Sequence, residues 1–211
     1  MILAIFDFDG TMIAGDSIVS YLRMARERKL IPLPKLLRAG LCACLWRLHL
    51  LDAGAAKAAA LSFRGKADKK ALDRLDRDFA RALLERIHPR ALSAMRERKQ
   101  AGDLVILLTA STDHYMRHVL DGLPADRLIC STTDETGRVL VNVRGEEKVR
   151  QLQAFLHALP EQADLAASSA YGDSSGDLPV LRLTGHPYLV NPGRKARRAA
   201  AGAIPVLTWK D

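Results

Sequence analysis

Two aspartates two residues apart, Asp7 and Asp9, follow the apolar run Ile2-Leu3-Ala4-Ile5-Phe6 and precede Gly10-Thr11. A short aliphatic run bounded by glycine predicts a buried strand. In an open α/β sheet, ligands bind beyond the carboxyl ends of the strands, where this couplet falls. Alternation along an extended chain puts Asp7 and Asp9 on one side. Paired carboxylates repel, and each raises the other's pKa unless a cation joins them. A hard divalent ion such as Mg²⁺ takes oxygen ligands of this kind. A carboxylate beside such an ion can also act as a nucleophile and form an aspartyl-phosphate. Taken alone, the couplet reads equally well as a turn, because Asp-Gly is a common turn signal.

Three more clusters follow. The run Asp103 to Leu108 predicts a second buried strand and ends in Thr109-Ala110-Ser111-Thr112. Gly145-Glu146-Glu147-Lys148 opens a helical stretch and supplies a lone cation. Ala170-Tyr171-Gly172 leads into Asp173-Ser174-Ser175-Gly176-Asp177, two carboxylates four apart. Singly, Thr109 is strand-end filler, Lys148 a solvated lysine at a helix start and Asp177 a helix cap. Their joint order, acidic pair, hydroxyl, lysine, acidic pair, is specific. On these motifs, spanning residues 7 to 177, the sequence resembles the haloacid-dehalogenase-like (HAD) phosphohydrolase superfamily. Within it the chain is most similar to subfamily IB, the branch of the phosphoserine phosphatases. Val190-Asn191-Pro192 and Ile204-Pro205-Val206 also look like that branch. Bacterial receiver domains share an Asp, Thr and Lys set, but they are much shorter than 211 residues. Their phosphorylated aspartate also lies on a middle strand, whereas here the acidic pair opens the chain.

The resemblance implies a role for each motif residue. Asp7 would be the nucleophile, and Asp9 the general acid for the leaving alcohol and later the base for water. Mg²⁺ would be held by the Asp7 side chain, the Asp9 backbone carbonyl and Asp173. Thr109 would donate to a phosphoryl oxygen, as would backbone N–H groups after Asp7 and Thr109, with Gly10 and Ala110 lining the substrate. Lys148 would neutralise growing charge and hold Asp7, with Asp177 behind it. Three departures from phosphoserine phosphatases stand out. Ala110-Ser111 replaces their usual Gly-Gly, Gly176 stands where asparagine is usual, and Asp16 falls where a glutamate binds the substrate amine. The expected substrate is a small phosphomonoester, phosphoserine-like or an amino-alcohol phosphate such as histidinol phosphate. Phosphatidylglycerophosphate is the enzymatic alternative. A non-enzymatic alternative is an anion- or membrane-surface-binding module of this fold, marked by loss of the nucleophile or the lysine; neither is lost.

These residues need a scaffold. After about residue 100, short strand patterns (104–108, 128–130, 169–171, 188–190, 206–207) alternate with helical ones such as 148–159. That alternation predicts an α/β fold, a Rossmann-like parallel sheet with helices on both faces. Thr136-Gly137-Arg138 before Val139 predicts a small hairpin through residue 143. From Ser17 to about His88 the pattern is helical, broken at Pro32, Pro34 and Gly65. The family resemblance makes this a mobile cap, giving a core of residues 1–16 and 89–211 and a cap of residues 17–88. A cap can exclude water during phosphoryl transfer. The apolar stretch Leu36 to Leu51 is expected as a buried cap helix; a membrane-touching surface is the alternative.

Composition bounds the rest. A hydrophobic fraction of 48% with 27% charged residues is that of a soluble globular chain. The net charge of +8 invites a nucleic-acid reading. However, the basic residues from Arg64 to Lys99 are interleaved with acids, the pattern of solvated helix faces, and no aromatic residues are spaced for base stacking. The expectation is therefore no nucleic-acid partner, with Arg194-Lys195-Ala196-Arg197-Arg198 a solvated helix. Cys42, Cys44 and Cys130 offer neither a disulfide framework nor a CxxC spacing, and the first two read as packing residues. The first strand starts at once, so a cytoplasmic protein without a cleavable leader is expected. His114 and His118 stand four apart, a spacing open to a metal pair, yet ordinary core or surface positions are expected.

Overall fold

The computed structural model describes residues 1–210. The expected core range, 89–211, therefore ends on Asp211, which lies outside the described residues. β1 (Leu3–Phe6) is followed by four helices, α1 (Ser17–Glu27), α2 (Leu33–Arg47), α3 (Ala53–Leu61) and α4 (Lys69–Leu84), with a short 3₁₀ turn at Arg64–Lys66. Then come α5 (Pro89–Gln100), β2 (Leu104–Thr112), α6 (Asp113–Leu120), β3 (Arg127–Thr133) and β4 (Val139–Val141). The chain continues through α7 (Glu146–His157), β5 (Ser169–Gly172), α8 (Leu178–Leu181), β6 (His186–Val190), α9 (Arg194–Ala200) and β7 (Val206–Leu207).

Among the described residues the strands form one sheet in the order β4-β3-β2-β1-β5-β6-β7, parallel except for β4. β1 is central, and its four residues are all buried. Phe6 lies level with Leu107 of β2 and Tyr171 of β5. The carboxyl ends of β1, β5 and β2 therefore sit side by side, which brings the segments after residues 6, 172 and 108 together. Alternation sends Leu3, Ile5, Ile106 and Leu108 to one face, against α7, α8 and α9. Ala4, Phe6, Val105 and Leu107 face the other way. There they join Tyr21, Phe63 and Phe79 of the helical insertion and Tyr115 of α6.

Three aspartates, Asp16, Asp52 and Asp68, begin α1, α3 and α4, each accepting from a backbone N–H of the first turn. In α4 the apolar residues Leu72, Leu75, Phe79 and Leu83 recur at helical spacing and are buried. Inside the insertion Arg64 donates to both carboxylate oxygens of Asp76 at 2.9 Å, and Tyr21 donates to Asp76 at 2.5 Å. Arg64 is thus a buried exception to the expected solvated basic run. The insertion's two ends meet: Ile13 bridges to Ile87, and His88 N–H donates to the Met12 carbonyl at 2.8 Å.

One expectation is overturned. The stretch 36–51 is not a buried helix. It lies mostly within α2, in which Ala39 alone is buried, while Leu33, Leu37 and Leu41 are exposed, as are Leu48 and Leu50 just beyond it. The inner face is built from small and half-buried residues, so the bulky leucines point outward. Cys44 is exposed for the same reason, rather than packed. The expected hairpin forms, but β4 stops at Val141 and pairs antiparallel at the sheet edge. β2 runs on to Thr112 with a register shift after Leu108, so the hydroxyl cluster belongs to the strand itself.

Candidate active site

Asp7 is the first residue past β1, and its N–H still donates to the Tyr171 carbonyl at 2.9 Å. That bond fixes the buried carboxylate at the sheet's edge. Gly145, at φ +61, turns the chain into α7 and leaves Lys148 in the first helical turn. Lys148 Nζ donates to Asp7 Oδ1 at 2.7 Å and to Asp177 Oδ1 at 2.6 Å. Asp177 is held in turn by the N–H and hydroxyl of Ser174, at 3.0 and 2.7 Å. Asp7, Asp173 and Asp177 each offer an oxygen within 4.8 Å of the others. Gly10, at φ +78, lies against this group: a Cβ there would fall 2.3 Å from Asp173 Oδ2. Only glycine fits.

Three carboxylates here face one ammonium. Burial pushes the Asp7 pKa well above the ordinary carboxylate value; Lys148 opposes it, and Asp177 and Asp173 add to it. Burial and then Asp177 lift Asp173 to about 7. Burial works against the Lys148 charge, but Asp177 and Asp7 outweigh it and raise its pKa. Asp177 itself is lowered, because Lys148 and its hydrogen bonds outweigh burial. The unbalanced negative charge and the all-oxygen donor set fit a hard divalent cation.

Asp9 is set apart from that cluster. Its carboxylate accepts from Ser17 N–H at 3.0 Å, Ser17 Oγ at 2.8 Å and Ser111 Oγ at 2.5 Å. Side-chain ligation beside Asp7 is therefore not its arrangement; the carboxylate is engaged by the start of α1 and the end of β2. Burial, then the nearby Asp16, raises it to about 6, so that it can hold a proton near neutrality. Tyr115 OH lies 2.9 Å from Ser17 Oγ and extends the network.

The remaining sequence-selected residues gather around the same space. Thr109 is buried, and its Oγ1 accepts from Ser111 N–H at 3.1 Å. The Ala110 carbonyl accepts from Lys57 and Ser131. Asp16 caps α1 through Ile18 N–H at 3.0 Å and remains exposed. Asp7, Asp9, Gly10, Asp16, Thr109, Ala110, Lys148, Asp173 and Asp177 all line one cavity of about 1090 Å³. The histidine pair does not form a metal site. His114 Nε2 lies 2.7 Å from Thr133 Oγ1, and His118 faces Asp121.

Sequence reasoning gave no role to several residues in and around this cavity. Ser17, Ser111 and Tyr115 surround Asp9, and nothing in their spacing singles them out. Lys57 is different. It is the sole charge in α3, Ala-Gly-Ala-Ala-Lys-Ala-Ala-Ala-Leu, which was a usable signal. Its Nζ donates to the Ala110 carbonyl and Asn142 Oδ1, each at 2.5 Å, and to Ser131 Oγ at 3.0 Å. Burial lowers its pKa to about 8 despite Asp16 and Asp9 nearby. Arg144 also lines the cavity, its guanidinium 5.0 Å above the Trp46 ring.

A family model described as haloacid dehalogenase-like hydrolase matches residues 4–182. The protein CicA of Caulobacter vibrioides is 31% identical over 195 residues, 86% of this chain and 82% of that one. A histidinol-phosphatase of Neisseria meningitidis is 26% identical over 225 residues, covering 99% of each chain. The inhibition of morphological differentiation protein of Streptomyces azureus is 32% identical over 130 residues, and the match spans 46% of its length. Among solved structures, a Bordetella pertussis protein of unknown function superposes with a TM-score of 0.85 at 23% identity, covering 97% of both chains. A substrate-bound phosphoserine phosphatase superposes with a TM-score of 0.65 at 17% identity, covering 97% of this chain and 91% of that one. These two likenesses concern the fold.

Proposed function

Since the chain belongs to the haloacid dehalogenase-like hydrolases, we propose that it is a phosphoric monoester hydrolase working through an aspartyl-phosphate on Asp7. The observation that carries this reading is the Lys148 ammonium bound to both Asp7 and Asp177 beside Asp173. An Asp7 oxygen attacks phosphorus while the bond to the leaving oxygen breaks. Asp9, protonated at the start, delivers its proton to that oxygen. The Asp9 carboxylate then takes a proton from water, whose oxygen attacks the phosphorus and releases Asp7 and inorganic phosphate. Lys148 and the Thr109 hydroxyl balance charge on the phosphoryl oxygens. Asp7, Asp173 and the Asp9 carbonyl would hold Mg²⁺, which when bound supplies positive charge beside the phosphoryl group. Residues 17–88 act as the cap over the residue 1–16 and 89–211 core, shielding the transfer from bulk water. The free cysteines agree with a cytoplasmic setting.

The substrate in this reading is a small amino-alcohol phosphate, phosphoserine-like or akin to histidinol phosphate, with Asp16 facing its ammonium group. A second reading is a lipid-headgroup phosphate such as phosphatidylglycerophosphate. It is favoured by the cavity's apolar wall of Val19, Leu22, Leu36, Ala39 and Trp46. Catalytic efficiency on these three compounds, for wild type and Asp16→Ala, separates the readings. The amino-bearing compound should lead and suffer most from the change. A leading lipid, untouched by the change, would select the second reading. The mechanism is tested apart from the substrate, on an aryl phosphate with Mg²⁺. Asp7→Asn should lose several powers of ten in turnover, about what loss of a nucleophile costs elsewhere, and chelator should abolish activity. Substantial residual turnover in Asp7→Asn would rule out the covalent route.

A further inference from the structure

The outward face of α2 is an apolar stripe. At about 100° per residue, Leu33, Leu37, Leu41, Cys44 and Leu48 fall within an arc of roughly 80°. Leu37 and Leu41 are 65% and 61% exposed, and Leu50 beyond the helix is 71% exposed. Buried Ala39 lies on the opposite side. Arg38 borders the stripe on one flank; on the other lies Arg47, which also lines the active-site cavity. Both are exposed and make no ion pair among the described residues. The charge along this segment of the chain has one sign. From Arg28 to Leu51 the chain carries five lysines and arginines and no acidic residue. Single exposed leucines are ordinary, but a contiguous stripe framed by cations is not.

We propose that α2 seats the protein on the surface of a bilayer bearing anionic headgroups, with its leucine stripe at the level of the acyl boundary. An interfacial helix needs an apolar face and cationic residues beside it, and α2 has both. Its 15 residues make it about 22 Å long, and no helix among the described residues is long and apolar enough to cross a membrane. Arg38 lies where it reaches headgroup phosphates as the leucines enter beside it. A second copy of this chain would meet the stripe with the same unopposed cations, and like charge would disfavour that pairing. The inner face of the same helix, through Leu36, Ala39 and Trp46, forms a wall of the active-site cavity. Seating α2 therefore holds the cavity close to the lipid surface.

The test reads binding without turnover, so it stands apart from the phosphatase reading. The full chain is sedimented with vesicles of phosphatidylcholine alone and of phosphatidylcholine with phosphatidylglycerol. Wild type should pellet with the anionic vesicles, bind neutral ones at least about tenfold more weakly, and dissociate as salt is raised. Leu37→Glu/Leu41→Glu should lower anionic-vesicle binding by more than about tenfold. Its unaltered circular dichroism and aryl-phosphate turnover would show that it still folds. Arg38→Gln should weaken binding several-fold and reduce the salt dependence. Wild type remaining in the supernatant with anionic vesicles overturns the proposal. So does binding that survives Leu37→Glu/Leu41→Glu. Light scattering that shows a dimer, converted to monomer by the same change, would assign the stripe to a second copy instead.

Discussion

Lys57 Nζ, on α3 of the helical insertion, lies 2.5 Å from Asn142 Oδ1, on the segment that follows β4. The same ammonium reaches the Ala110 carbonyl in the middle of the second motif. One side chain thus ties the insertion to the strand end that carries Thr109. Lys57→Met keeps the stem but removes all three donors. It should lower kcat/KM by roughly tenfold to a hundredfold, because small displacements of positioning groups cost that much. Kinetics on an aryl phosphate check this, and near wild-type efficiency would show that the tie is structurally idle.

Asp9 sits among Ser17, Ser111 and Tyr115 with its pKa lifted to about 6. A proton donor matters most when the departing oxygen is strongly basic. Asp9→Asn should therefore damage hydrolysis of an alkyl phosphate far more than that of nitrophenyl phosphate, by about a hundredfold or more. Equal losses on the two substrates would leave Asp9 a merely structural role.

The Arg64–Asp76 pair tests the insertion's stability. Both groups are buried, and Tyr21 donates into the same carboxylate. Asp76→Ala would strand the guanidinium, costing about 3–5 kcal/mol in urea unfolding. Removing both charges with Arg64→Met/Asp76→Leu should cost far less. A single-variant loss under about 1 kcal/mol would mean that water reaches Arg64.

His114 gives the fold a pH dependence. Burial and then Arg64 hold its pKa down to about 4 against an ordinary 6.5, with Asp113 pulling the other way. The folded state thus resists a proton that the unfolded chain accepts. Above pH 6.5 the group contributes no penalty. As pH falls from 6.5 towards 4, stability drops, by at most about 3 kcal/mol from this residue. Denaturant midpoints across that range should fall for wild type and flatten for His114→Gln, which keeps a partner for Thr133. Parallel curves for the two proteins would refute the assignment.

The parallel sheet was legible because β1 and β2 are near-continuous apolar runs ended by polar residues, the mark of strands buried on both faces. The candidate site was legible through order: Asp7 and Asp173 each follow a strand, Thr109 lies towards the end of β2, and Lys148 sits in the first turn of α7. What escaped was set by tertiary placement. Ser17 approaches Asp9 because α1 begins beside β1, and Lys57 reaches Ala110 across more than fifty residues of chain. The apolar stretch after Leu36 misled because hydropathy reports composition and not direction. α2 is apolar on both sides, so periodicity could not tell the wall of a cavity from a face turned to solvent.

The junction at Ile13, Ile87 and His88 makes the insertion topologically separable. Its entry and exit lie side by side, so the sheet experiences about seventy residues of helix as it would a tight loop. A chain built this way can exchange one helical insertion for another without redrawing the strands beneath, since only two neighbouring attachment points must be matched. Asp7, Lys148, Asp173 and Asp177 all lie outside the exchanged segment, whereas Asp16 and Ser17 sit on its threshold. On the proposed reading, grafts between relatives would carry substrate choice with the helices and leave those four residues where they are.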